Sequence, residues 1–327
     1  MDTKLNPTSP IDVDFGHYIA ARTQAQAAHL VGGVPDYAFS LDQKLLQELR
    51  AIGPLRAAAK ALTSWVTPIQ KQLFEMRGVA VGPNQYPEVY ALGEECARRL
   101  GIGIPQIYIH FDPAPNGFTY ATDDVNQMIV LTSGVVENMT HDELRAIIGH
   151  ECGHIHNQHG VYHTAVVLMT NVLLRTIIMS MPGVWPFLSV GLTAFQWALN
   201  RWSRCSEVSC DRAGLICSGN LEVSQLALAK LTVGGGAVLK HINLEQYLQQ
   251  VHTIQSSVVR LAELDMNHPL IPKRLEALRL FAECDVYHAW RPETLTPDMP
   301  VRSKRETDAT CEQFISVLSS KYTRPEG

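Results

Sequence analysis

The chain has no basic excess, no regular cysteine spacing, no internal repeat and no unbroken apolar run of membrane-spanning length, and each absence narrows the field. Its 327 residues carry 27 Lys and Arg against 32 Asp and Glu, a net charge of −5. No positive field draws in nucleic acid, and no nucleic-acid partner is expected. The seven cysteines, Cys96, Cys152, Cys205, Cys210, Cys217, Cys284 and Cys311, are odd in number and irregularly spaced, which speaks against a disulfide framework and favours a reducing compartment. Cys205 and Cys210 are offset around a helix, a poor geometry for a cysteine metal site. Met1 to Pro10 hold no basic cluster followed by an apolar run, so neither a secretory signal nor an anchor is read there, and a cytoplasmic location is expected. With 46% hydrophobic residues, the chain can bury one sizeable core, or a core plus a helical extension.

What is present centres on His150-Glu151-Cys152-Gly153-His154. At about 100° per residue the two histidines lie about 40° apart on one helical face and one turn apart in height, so both imidazoles can reach a single cation. A hydrolytic zinc site takes three protein ligands and leaves a fourth position for water, and Glu151 sits where a carboxylate could take that water's proton. The flanks support a helix from about 141 to 158. Thr140-His141-Asp142-Glu143 has capping-box form, and Leu144, Ile147, Ile148, Cys152 and Ile155 recur at helical steps. A metzincin-type third histidine is excluded, because Asn157 and Gly160 stand where glycine and histidine would be needed.

A downstream carboxylate must therefore complete the site, and Glu207 is the candidate. Asp211, one turn further on the same face, could accept the outer ring N–H of a ligand histidine. The competing reading is a solvated face on which Arg204, Glu207, Asp211 and Arg212 form ordinary ion pairs. His141, His156 and His159 fall about 140° or more from the His150 and His154 mid-line, and His163 follows if the helix continues, so all four are read as pointing away from the metal.

On these residues the chain resembles the HtpX and CAAX prenyl endopeptidase family of zinc metallopeptidases, gluzincin type. The resemblance covers roughly residues 85 to 280 and rests on four segments: Asn116 to Tyr120 leading into Ile129 to Gly134, the His150 to His154 motif, Ser206 to Asp211, and Asn267-His268-Pro269 followed by Arg274. It implies one Zn2+ per chain bound by His150, His154 and Glu207, with Glu151 as general base. It also implies a cleft-lining edge strand that holds peptide substrate through Asn116, Gly117 and Phe118, where the Thr119-Tyr120 pair departs from the smaller residues usual in the family. His268 resembles the histidine of the family's His-Pro pair, which could stabilise the oxyanion or occupy the open zinc position at rest. A plain structural strand and a plain loop are the alternatives for these last two segments.

The expected fold class is α+β, predominantly α-helical, a zincin-type metallopeptidase domain with a small β-sheet beside the motif helix. Strand character is read at Gln106 to His110, Phe118 to Tyr120 and Met128 to Leu131, and helices near 88 to 100, 221 to 233, 243 to 264 and 272 to 284. Residues 1–80 read as a helical N-terminal region that could cover the cleft, 81–285 as the catalytic domain including an apolar helical hairpin at 161–202, and 286–327 as a weakly ordered tail rich in proline and charge, with a short helix near 309 to 320. HtpX-like relatives place membrane helices in the hairpin interval. Here Asn171, Arg175 and Pro182 interrupt its first half and Arg201 ends its second, short of the roughly 20 apolar residues a span needs. A buried hairpin is expected, with peripheral or hairpin membrane contact through 164–202 as the alternative. The function read is a zinc-dependent metalloendopeptidase acting on protein or peptide substrates. The alternatives are a membrane-associated quality-control protease of HtpX type and a catalytically silent, zinc-stabilised chaperone-like protein.

Overall fold

The computed structural model of the chain describes residues 29–121, 127–170, 185–233, 243–253 and 263–316. The chain divides into two compact units, Met1–Asp36 and Tyr37–Gly327. Of the first, the described part is a two-stranded antiparallel ribbon, β1 (Leu30–Val31) and β2 (Val34–Pro35). Its tight turn has positive φ at both Gly32 and Gly33, 62° and 82°, the conformation a two-residue hairpin turn demands.

The second unit runs through helices α1 (Ser40–Ala51) and α2 (Gly53–Arg77), strand β3 (Gly78–Ala80), α3 (Pro87–Leu100), β4 (Gln106–His110), β5 (Gly117–Ala121) and β6 (Gln127–Thr132). It continues with α4 (Ser133–Asn138), α5 (His141–His156), α6 (Gly160–Thr170), α7 (Trp185–Ser218), α8 (Leu221–Val233), α9 (Leu244–Thr253), α10 (Ile271–Ala282), α11 (Asp285–Trp290) and α12 (Lys304–Ile315). Helix predominance and a small sheet beside the motif helix are as the sequence implied. The Asp123-Asp124 turn, the Gly234 to Gly236 break, and the stretches 171–184 and 254–262 lie outside the described residues.

The four-stranded sheet has the order β3-β4-β6-β5, with β4 and β6 parallel and the two outer pairs antiparallel. One face, carrying Ile107, Ile129 and Leu131, packs with Leu144, Ile147 and Ile148 of α5 in the main core, to which α3, α7 and α10 also contribute. The other face holds an aromatic layer of Phe74, Tyr108, Phe118 and Tyr120 around Met128 and Val130. A second core of Phe39, Leu45, Leu46, Tyr162, Trp202, Leu280 and Phe314 joins the N-terminal helices to the C-terminal one.

Helix α5 begins as its sequence signals. Thr140 Oγ1 accepts from Glu143 N–H while the Glu143 carboxylate accepts from Thr140 N–H, a complete capping box. It ends two residues short of expectation, at His156, because Gln158 adopts a left-handed φ of 56° and turns the chain back into α6. Against α5 lies α7, a single 34-residue helix that carries the apolar segment without interruption into the Glu207 and Asp211 segment. The two helices cross at glycines. A Cβ on Gly149 would fall 2.6 Å from Cys217 Cβ, and one on Gly153 would fall 2.8 Å from Ala213 Cβ. Close approach of the two backbones is what lets short side chains from both helices meet.

Two readings are corrected. Arg204, Glu207, Asp211 and Arg212 are all buried, so the solvated-face alternative for this segment fails. The stretch expected to be a weakly ordered tail is folded as far as Ser316: α12 starts at its own capping box, Ser303 with Glu306, and buries Cys311, Phe314 and Ile315.

Candidate active site

Helix α5 presents His150, Glu151 and His154, and α7 presents Glu207 between the two histidines. Glu207 Oε2 lies 3.5 Å from His150 Nε2, and Oε1 lies 3.5 Å from His154 Nε2. Donors bound about 2.0–2.2 Å from one tetrahedral ion stand roughly 3.4 Å apart, so each separation suits two ligands of a common cation. Glu207 is only 1% exposed, yet its Oε1 has no hydrogen-bond partner among the described residues. An orphaned buried carboxylate oxygen facing an imidazole nitrogen is what a metal would satisfy. Burial alone would raise the Glu207 pKa, but His268 and Arg274 outweigh it and hold the carboxyl well below its ordinary value.

The outer nitrogens are also bound. His150 Nδ1 is 2.9 Å from Asp211 Oδ1, and Arg274 grips Asp211 with two hydrogen bonds, Nε to Oδ2 at 2.8 Å and Nη2 to Oδ1 at 2.6 Å. The same guanidinium reaches Glu207 Oε2 at 3.2 Å. Burial works against the Asp211 carboxylate, and Arg274 more than offsets it, lowering its pKa. Arg274, singled out by the motif without a role, thus ties both acidic residues of α7 together.

Glu151 is buried and accepts a hydrogen bond from Thr119 Oγ1 of β5 at 2.6 Å. Burial pushes its carboxyl above the ordinary range, with His150 and the Thr119 hydroxyl pulling the other way. Strand β5 is an edge of the sheet, and Asn116, Gly117 and Phe118 line the same cleft as His150, Glu151, His154 and Glu207. A Cβ at Gly117 would stand 3.3 Å from Glu151 Oε1, so this glycine leaves room beside the carboxylate. His268, 48% exposed at the cleft mouth, places Nδ1 3.0 Å from Glu207 Oε2.

Two histidines set aside on the sequence come back into the site. The turn at Gln158 carries His159 and His163 against His154, with His159 Nδ1 3.2 Å from His154 Nδ1 and the His163 ring 4.2 Å from that of His154. Ligand atoms of His154, His163 and Glu207 lie within 4.8 Å of one another, as do those of His150, His154 and Cys210. Burial lowers the His163 pKa to about 4, leaving a neutral imidazole. Burial and Glu207 raise that of Cys210, which stays a thiol. Asp42 on α1 is a further residue of the site that carries no local sequence signal. It is buried and accepts from His159, Trp202 and Ser209.

A helix pair crossing at glycines, two histidines and a glutamate meeting in a cleft beside an edge strand, and a second glutamate among them define a metallopeptidase. The chain belongs to peptidase family M48, whose sequence profile matches residues 83–282. It is 29% identical over 245 residues to the plastoglobule-localized metallopeptidase 48, chloroplastic, of Arabidopsis thaliana, covering 72% of this chain and 69% of that one. It is 26% identical over 218 residues to a protease HtpX homolog of Dictyoglomus turgidum, 61% of this chain and 71% of the relative. With protease HtpX of Xylella fastidiosa it shares 25% identity over 208 residues, 57% of this chain and 70% of the relative. No solved structure matches the chain. The HtpX-type resemblance drawn from the motifs is thereby borne out: the protein is a metalloprotease, hydrolysing peptide bonds of peptide substrates with a catalytic metal.

The cytoplasmic location expected from the sequence is corrected by the same relatives. Membrane helices belong to the HtpX-like relatives, and the Arabidopsis relative is plastoglobule-localized and chloroplastic by name. The polar first residues do not outweigh this. Among the described residues no helix is long and apolar enough to cross a membrane.

Proposed function

We propose that the protein is a zinc metalloendopeptidase holding one Zn2+ per chain through His150, His154 and Glu207, with Glu151 as the general base. The observation that carries this is the meeting of both motif histidines on the buried Glu207 carboxylate, with Glu151 in the same cleft. His150 is preferred over His163 as the third donor because of its outer nitrogen. A ligand imidazole is normally oriented by a partner on the nitrogen away from the metal, and His150 Nδ1 has Asp211, whereas His163 Nδ1 is buried without a hydrogen bond among the described residues. Asp211 would hold the His150 ring in place, itself fixed by Arg274.

When bound, the ion supplies Lewis acidity, acidifying a water and polarising the scissile carbonyl. Glu151, held by Thr119 and with its proton affinity raised by burial, takes the proton of the attacking water and delivers one to the leaving amine. Edge strand β5 binds the substrate main chain alongside Asn116, Gly117 and Phe118 by added-strand hydrogen bonds. Helix α2 walls this strand, Phe74 packing at 5.8 Å from Phe118 and 5.6 Å from Tyr120. His268, whose Nδ1 lies 3.0 Å from Glu207 Oε2, would meet the developing oxyanion.

Glu151→Gln preserves size and hydrogen bonding but cannot take a proton. It should bind one zinc per chain and cleave unfolded casein on the order of 10²–10⁴-fold more slowly. Full activity of that variant would refute the mechanism. Within the apolar stretch 164–202, lipid contact is proposed at Trp197, 47% exposed, and not at Trp202, which is fully buried in the core. Flotation of the full chain with phospholipid vesicles tests it, and recovery in the protein-only fraction would contradict it.

A further inference from the structure

We propose that Asp42 and His159 are positioning residues for His154, forming a hydrogen-bond chain that fixes which of its ring nitrogens carries the proton. The inference rests on the zinc reading above, in which His154 binds through Nε2.

The chain can be followed donor by donor. Asp42 is fully buried on α1, far from α5 in sequence. Its Oδ1 accepts from Trp202 Nε1 at 2.9 Å, and indole nitrogen can only donate. Its Oδ2 accepts from Ser209 Oγ at 2.6 Å, a hydroxyl that itself accepts from Phe39 N–H at 3.0 Å. The same Oδ2 lies 3.0 Å from His159 Nε2. Facing a carboxylate that accepts on every side, His159 must present its proton on Nε2, which leaves a lone pair on Nδ1.

That lone pair faces two groups, His154 Nδ1 at 3.2 Å and the Cys210 thiol at 3.6 Å. Two lone pairs cannot face each other at 3.2 Å, so His154 Nδ1 must donate, and the thiol can share the same acceptor. His154 therefore carries its proton on Nδ1 and keeps its lone pair on Nε2, the nitrogen 3.5 Å from Glu207. The two motif histidines are thus supported alike, His150 by a carboxylate directly and His154 by a carboxylate acting through an intervening imidazole. The Trp202 ring, edge-on to His159 with centroids 5.5 Å apart, packs against this link.

Asp42→Asn separates this role from packing. Trp202 N–H pins the amide oxygen at the Oδ1 position, so the amide NH2 faces Ser209 and His159. His159 then accepts on Nε2 and donates from Nδ1, and His154 is left with its proton on Nε2. The hydrogen bonds survive but run backwards. His159→Phe removes the acceptor, whereas His159→Gln restores it, since one amide can accept from His154 and donate to Asp42. Zinc dissociation constants of the full-length variants, measured by chelator competition, should rise 10- to 100-fold in Asp42→Asn and His159→Phe and stay within about threefold of wild type in His159→Gln. The thermal melting of metal-free Asp42→Asn should match wild type. Wild-type affinity in Asp42→Asn would overturn the proposal, as would equal losses in the Phe and Gln variants. Should His159→Phe not fold, Asp42→Asn alone decides. Glu207→Ala serves as control: if it holds zinc as tightly as wild type, the zinc reading itself fails, whereas its loss of zinc beside an unaffected Asp42→Asn sinks only the chain through His159.

Discussion

Thr119 touches the carboxylate that does the proton transfer. Its hydroxyl, 2.6 Å from Glu151 Oε2, also lies 3.2 Å from the Glu151 carbonyl, so the strand locks the base against its own helix. Valine has nearly the same shape without the donor. Thr119→Val should lower kcat about tenfold with KM little changed, the loss of roughly one hydrogen bond to a charged group, and Thr119→Ser should recover most of it. Steady-state kinetics of the two variants check this, and a Val variant as fast as wild type would contradict it. Thr119 was legible only as a departure from the family's smaller residues. The motif residues were plain because helical period alone brings His150, Glu151 and His154 to one face. His159 and His163 were misread for the same reason. Extrapolating that period past Asn157 turns them away, whereas Gln158, at φ 56°, ends the helix and brings them back. Asp42 carries no local signal at all, since only tertiary packing sets it against His159.

At the scale of elements, the active site depends on how closely α5 and α7 cross. Gly153 stands over Cys210 and Ala213, and a methyl group there would fall 2.8 Å from Ala213 Cβ and 2.9 Å from the Cys210 backbone. In an open helix, glycine to alanine would stabilise by about 0.5–1 kcal/mol. Here overpacking wins: Gly153→Ala should destabilise by about 1–3 kcal/mol and weaken zinc binding by moving Glu207 away from His154. Denaturant titration with a zinc competition assay measures both, and a variant stabilised with unchanged zinc affinity would show that the crossing has slack. The helices themselves were readable from capping residues and apolar period. The continuity of α7 was not, because Arg201 and Arg204 look like the polar end of a helix, while in the fold Arg204 is buried and donates to the carbonyls of Glu263 and Met266.

Across the molecule, helices α1, α7 and α12 meet at a buried ion pair. Arg212 of α7 lies between the rings of Phe39 and Phe281, 5.4 and 4.8 Å from their centroids, and contacts Asp308 of α12 at 2.7 Å. Asp308 in turn accepts from Ser40 at the start of α1. Burial raises the Asp308 pKa, but Arg212 and Lys304 outweigh it, so the folded carboxyl titrates below its unfolded value of about 3.9. A depressed folded pKa stabilises above the unfolded pKa and loses that stabilisation as pH falls through the folded one. Asp308→Asn should therefore cost about 3–5 kcal/mol near neutral pH, leaving Arg212 buried without its partner, and the gap to wild type should close below about pH 4. Unfolding curves at several pH values test this, and a gap unchanged down to pH 3 would contradict it. The most direct test of the whole reading is zinc-edge anomalous diffraction from crystals of the full chain. One peak about 2.0–2.2 Å from His150 Nε2, His154 Nε2 and a Glu207 oxygen is the expected result. A peak seated instead on Cys210 or His163, or none with zinc in excess, would contradict it.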